Sequence, residues 1–213
     1  MAEPWWRRPS LWAGITLLAL AAVLTVPVLL DPADPLYAGA DTAWREQMMG
    51  SRDDVATALA RLLAAVGTWP WAYLTVAAAV VALLTGRGRR PALYVALCCV
   101  ATSIVTVPLL KLLVERARPP EPLIHAAGYS FPSGHAGIAA ALTASLVLVA
   151  TRWQAGWAAV AAIVTVAMMW SRTYLSVHWL SDTIAAALIG AGIALVLAAA
   201  IRPVRTAPVP PTG

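Results

Sequence analysis

Ser171-Arg172-Thr173-Tyr174-Leu175-Ser176-Val177-His178-Trp179-Leu180-Ser181-Asp182 is a polar interruption between two apolar runs, over 155–171 and 183–201. It holds one of the three histidines and the only acid in the last third of the chain. Each flanking run is long enough to cross a hydrocarbon core of about 30 Å as a helix. The stretch therefore lies where two spans meet the membrane boundary. A second polar stretch, Phe131-Pro132-Ser133-Gly134-His135, stands in the same relation to an apolar run over 135–150.

Working outward, the whole chain has this character. Its 213 residues are 61% hydrophobic and only 12% charged, with a mean hydropathy of +0.75. Soluble domains carry charge on about a quarter of their residues, so the expected fold class is all-α: one polytopic membrane domain over 1–206. The net charge of +5 comes from 15 basic residues, of which only Lys111 is lysine. The arginines gather at segment ends, as membrane topology requires, and no aromatic-interleaved basic block offers a nucleic-acid surface. Cys98 and Cys99 are neighbours inside an apolar run and read as small buried hydrophobes. No His/Cys/Asp/Glu cluster has the spacing of a metal site, so neither metal nor cofactor is expected.

Six spans are read, at about 11–30, 62–85, 92–110, 135–150, 155–171 and 183–201. Trp5, Trp6, Arg7 and Arg8 anchor the first. Its apolar run exceeds a usual signal core, which favours retention over cleavage near Ala38-Gly39-Ala40. The connection over 31–61 is acidic and contains a possible interfacial helix with Trp44, Met48 and Met49; it reads as a short extracytoplasmic cover without catalytic duty. Gly86-Arg87-Gly88-Arg89-Arg90-Pro91 is a basic turn, and Arg152 and Arg202 mark two further basic ends. Placing both termini in the cytoplasm satisfies the positive-inside rule at every one of these points. The connections over 31–61, 111–134 and 171–182 then share the outer face. Residues 207–213 read as a disordered Pro-rich tail.

Three groups of residues on that face can carry chemistry. Lys111 and Arg118 are seven apart, close to two helical turns, so a continuing helix would show both on one stripe. They fit either two ligands of phosphate oxygens or two snorkelling anchors. Ser133 is a natural N-cap, Gly134 permits close approach, and the helix start they precede would face an anion; His135 at the same mouth can give or take a proton. His178 and Asp182, four apart, would meet on one helical turn. That pair reads as a helix-start polar contact or as a carboxylate fixing an imidazole tautomer so that the other nitrogen can attack. Arg172 ends the preceding span and offers a planar fork to phosphate oxygens. His125 reads as a loop histidine, Glu115 and Arg116 as a local surface pair, and Glu121 as a residue without a role.

In order and spacing, Lys111 with Arg118-Pro119, Pro132-Ser133-Gly134-His135, and Ser171-Arg172 with His178 and Asp182 resemble the three signature motifs of the type-2 phosphatidic acid phosphatase family. The resemblance covers most of the chain except 31–61 and the tail, and no signature position departs from the pattern. It implies that His178 is a nucleophile forming a phosphohistidine and that Asp182 orients it. It implies too that His135 protonates the leaving alkoxide and later activates water. Lys111, Arg118, Ser133, Gly134 and Arg172 would bind the phosphoryl oxygens, as in relatives that act without metal.

The expected activity is hydrolysis of a terminal phosphate from a membrane lipid, with polyprenyl diphosphate, phosphatidic acid and phosphatidylglycerophosphate as candidates. The partners are thus the lipid substrate and the bilayer, and Ala/Val/Arg-rich usage points to a bacterial plasma membrane. Two rivals remain: a phosphotransferase using the same phosphohistidine, and a non-enzymatic lipid-phosphate carrier.

Overall fold

The computed structural model describes residues 4–203, and among these the regular structure is entirely helical. In chain order the helices are α1 (Pro9–Leu30), α2 (Ala38–Gly50), α3 (Asp54–Val66), α4 (Trp71–Gly86), α5 (Arg89–Val100), α6 (Val107–Val114), α7 (Gly134–Val149), α8 (Gln154–Tyr174) and α9 (Leu180–Ile201). A short 3₁₀ turn, Trp5–Arg7, precedes them, and a π-helical turn, Ala101–Thr106, joins α5 to α6. The Pro-rich tail expected over 207–213 lies outside the described residues.

Among the described residues, four helical stretches are long and apolar enough to cross a membrane: α1, the continuous 26-residue run Arg89–Val114, α8 and α9. The span expected over 62–85 is instead two helices, α3 and α4, bent by 59° at a short break. Thr68, Trp69 and Pro70 fall in that break; proline cannot continue the α3 hydrogen-bond ladder, so the run of apolar residues does not make one rod. Counted as one span, the bent pair would bring the crossings to five. α7, at 16 residues, is the shortest of the apolar segments.

Small residues set how closely these helices pack, since lipid tails give apolar helices no hydrophobic incentive to associate. A Cβ on Gly190 of α9 would strike the Gly137 carbonyl oxygen of α7 and come within 2.9 Å of Ala141 N. On the opposite flank of α9, a Cβ on Gly14 of α1 would lie 2.8 Å from Val196 Cγ2. α9 is thereby gripped by α1 and α7, and it carries the largest share of the buried small residues. Tyr94 of α5, fully buried, donates to the Ala194 carbonyl at 2.7 Å. Cys98 and Cys99 are buried, unpaired and part of this apolar core.

The connection over 31–61 is more structured than a cover. Asp53 caps α3 by accepting from Ala56 N at 2.8 Å, which starts the helix eight residues before the expected span. Met48 of α2 packs with Ala60, Ala64, Tyr174, Leu175 and Val177. Arg45 pairs with Glu121 at 3.3 Å, and Arg52 donates to Ser176 Oγ at 2.7 Å. Glu121 thus has a partner, and the α2–α3 segment is fastened to the loops that carry the polar motifs.

Candidate active site

The irregular segments 115–133 and 175–179 meet at the end of the bundle where α7 and α9 begin. α6 stops at Val114 because Glu115 adopts a left-handed conformation, φ 52°. Lys111 and Arg118 therefore do not share a helical stripe as the seven-residue spacing predicts. Both nonetheless reach one backbone oxygen: Lys111 Nζ donates to Tyr129 O, and Arg118 Nη2 donates to it at 3.2 Å. Arg118 also donates to Gly128 O at 2.9 Å and Ala127 O at 2.8 Å, which folds the 119–130 loop around its guanidinium. Its Nη1 lies 3.4 Å from His178 Nε2.

Ser133 is the N-cap of α7, its hydroxyl accepting from Ala136 N at 3.5 Å. Its own N–H donates to the Asp182 carbonyl at 3.2 Å, which ties the start of α7 to the first turn of α9. His135 is on that first turn of α7. Its Nε2 lies 3.1 Å from Thr68 Oγ1 and 3.2 Å from Ala64 O. Thr68 Oγ1 spends its own proton on Ala64 O at 2.8 Å, so both neighbours of Nε2 are acceptors and Nε2 carries a proton. The α3–α4 break, not the segments 115–133 and 175–179, supplies this contact.

His178 precedes α9 in the loop rather than lying on its first turn, and α9 begins at Leu180, earlier than the span expected from 183. The ring is 4% exposed. Asp182 does not hydrogen-bond the ring as its i, i+4 spacing predicts; the closest approach is 3.6 Å. Nδ1 lies instead 2.7 Å from the carbonyl oxygen of Ser130. A carbonyl only accepts, so Nδ1 bears the proton and Nε2 presents its lone pair. Burial first, and then the cations Arg172, Lys111 and Arg118, hold the imidazole well below its ordinary pKa, so the ring is neutral at pH 7.

Arg172 lies inside α8, which runs on to Tyr174 and so passes the expected end at 171. It is 4% exposed, yet its Nε and Nη1 have no hydrogen-bond partner in the protein. A buried guanidinium N–H left unpaired is costly. With His178 beside it, the two nitrogens suit the oxygens of an anion.

Arg116 departs most from expectation. It is no surface partner of Glu115: it is 3% exposed and forms ion pairs with Asp182 at 2.6 Å and Asp41 at 2.8 Å. The neighbouring Glu115 could not satisfy a guanidinium that points into the protein. Asp182 also accepts from Trp179 N at 2.9 Å, the acidic half of a capping box. The sequence carried one signal for Asp41, its place in the first turn of α2, and none for its partner.

Residues 91–205 match the PAP2 superfamily. The structure resembles that of the first transmembrane PAP2-type phosphatidylglycerolphosphate phosphatase from Bacillus subtilis, with a TM-score of 0.77 and 20% identity over 87% of this chain and 94% of that one. It also resembles Aquifex aeolicus LpxE, with a TM-score of 0.62 and 19% identity over 72% of this chain and 91% of that one. No curated protein matches the chain.

Proposed function

We propose that this chain, which belongs to the PAP2 superfamily, hydrolyses the terminal phosphate of a membrane lipid phosphate or diphosphate through a phosphohistidine on His178. The observation that carries the reading is the pairing of a neutral, buried imidazole, unprotonated at Nε2, with the buried and unpartnered Nε and Nη1 of Arg172. One is a nucleophile and the other a receptor for the oxygens of the group attacked.

His178 Nε2 attacks phosphorus, the bond from phosphorus to the lipid oxygen breaks, and Nδ1–H stays on the Ser130 carbonyl as the ring becomes cationic. His135, with its Nε2–H resting on the α3–α4 break, takes a proton onto Nδ1 from the phosphate monoanion as the substrate enters and delivers that proton to the leaving oxygen. It then takes a proton from water, whose oxygen attacks phosphorus, breaks the N–P bond and releases phosphate. Lys111 and Arg172 take the equatorial oxygens, Arg118 adds its charge from beside them while its N–H groups hold Ala127, Gly128, Tyr129 and Val177, and the Ser133 hydroxyl and Gly134 N–H add the start of α7. Charge neutralisation by three protein cations supports a reaction independent of metal.

The face is assigned by charge. Arg87 Nη1 donates to Val149 O at 2.5 Å, and Arg87, Arg89 and Arg90 line one cavity with Thr151 and Pro203. This is the end of the bundle away from the site, because α7 starts at Gly134 and ends at Val149. Placing the arginines in the cytoplasm puts the site outside, in a bacterial plasma membrane.

The test uses the full chain in detergent with a chelator and a panel of phosphatidylglycerophosphate, phosphatidic acid and polyprenyl diphosphate. The panel includes the lipid named for the Bacillus subtilis neighbour. Free phosphate release with label trapped on His178, and loss of both in His178→Ala, is the expected result. Phosphate appearing only on an added lipid acceptor would mean a phosphotransferase; lipid binding without either product would mean a carrier.

A further inference from the structure

We propose that Arg116 and Asp41 are positioning residues for this hydrolysis, acting through Asp182 on the imidazole of His178, and that α2 thereby belongs to the catalytic unit. The role rests on the hydrolytic reading above.

Arg116 holds both groups that flank His178 Nδ1. Its backbone carbonyl accepts from Ser130 N at 2.8 Å and from Ser130 Oγ at 3.2 Å, fixing the residue whose carbonyl receives the imidazole proton. Its side chain donates through Nη1 to Asp182 Oδ1 at 2.6 Å, while Asp182 Oδ2 stays 3.6 Å from Nδ1. Rotating Asp182 out of this grip would break the bond from Trp179 N and change the charge facing the ring.

Asp41 completes the arrangement from α2. Its Oδ1 accepts from Ser181 N at 2.9 Å and its Oδ2 from Ser181 Oγ at 2.6 Å and Arg116 Nη2 at 2.8 Å. Two carboxyl groups and one guanidinium are thus buried to within 3% exposure. Packing alone does not call for this, because apolar residues of the same size commonly replace a buried ion pair without loss of stability. The chemistry does: a phosphorylated imidazole is cationic, and a carboxylate held ionised beside Nδ1 stabilises it. A buried carboxylate stays ionised only with a countercharge, and Arg116 is that countercharge. Arg116 also lies 5.3 Å from the Trp179 ring centroid, which fixes its plane.

The experiment compares wild type, Arg116→Met, Arg116→Lys and Asp41→Asn on the best lipid of the panel, reading kcat, KM and label trapped on His178. A misplaced group costs about 100-fold in rate, so Arg116→Met should lose about that much in kcat with KM little changed and little label trapped. Arg116→Lys should recover about a tenth of it or more, and Asp41→Asn should lose about 10-fold in kcat. If Arg116→Met does not fold, Asp41→Asn, which keeps the side-chain shape, decides. Folded variants with kcat within about twofold of wild type, or a loss confined to KM, overturn the proposal. A wild type that turns over no lipid removes the hydrolytic reading and this role with it; normal wild-type turnover beside unimpaired variants removes this role alone.

Discussion

The attack proposed for His178 needs one ring nitrogen unprotonated and the other protonated, and the backbone makes that choice. Ser130 O accepts from Nδ1 at 2.7 Å, so the tautomer should survive Ser130→Ala, which keeps the backbone bond to Arg116 O, and Asp182→Asn leaves Nε2 unprotonated. The Asn variant should lose rate through weaker stabilisation of the cationic intermediate, seen as slower labelling of His178 with KM little altered. Burial and the cations Arg172, Lys111 and Arg118 depress the His178 pKa. The ring therefore stays neutral as the pH falls past the ordinary imidazole value of about 6.5, and the acid limb of kcat/KM should lie below it. Removing one of those cations by Arg172→Gln should raise the His178 pKa and move that limb to higher pH. A wild-type limb above about pH 7 would contradict the assignment.

Between elements, the break from α3 to α4 is the feature that an apolar run conceals and a site requires. Gly67 lies against His135: a Cβ there would strike the ring at Cδ2 and come within 3.0 Å of Met168 Cε. Gly67→Ala should displace the imidazole and cut kcat by about 100-fold, measured on protein whose elution and melting match wild type. Thr68→Val removes one acceptor for Nε2 but leaves Ala64 O, so its loss of kcat should be clearly smaller. The grip of α7 on α9 is a separate matter of stability. Gly190→Ala places a methyl against the α7 backbone and should destabilise by about 1–3 kcal/mol, read as a lower melting temperature in detergent.

Across the whole molecule, the arginine-rich end and the site end are opposite faces of one bundle, and labelling in intact cells tests which is outside. The native thiols do not interfere, since Cys98 is 0% and Cys99 3% exposed. Leu36 precedes α2 at the site end and is 93% exposed; Thr151 follows α7 at the other end and is exposed. A membrane-impermeant thiol reagent should modify Leu36→Cys in intact cells and Thr151→Cys only after the membrane is opened. The reverse pattern would place the site in the cytoplasm and leave the chemistry as it is. A sixth crossing would have to be α7, whose 16 residues span about 24 Å at 1.5 Å per residue, short of a hydrocarbon core of about 30 Å.

Helices, their membrane character and the order of the polar motifs were determined by the sequence alone, because apolar length and local spacing act over one span at a time. Ser133 capping α7 is local in the same way. Only the tertiary structure decided what the buried charges do. Arg116 reads as half of a surface pair beside Glu115, but its partners Asp41 and Asp182 are 75 and 66 residues away. The i, i+4 spacing of His178 and Asp182 promised a hydrogen bond that a loop carbonyl, 48 residues distant, makes instead. Irregular segments have no period to read, and their side chains find partners through the packing of α2, α7 and α9 around them; so the residues proposed to react were visible in the chain, and the groups that hold them were not.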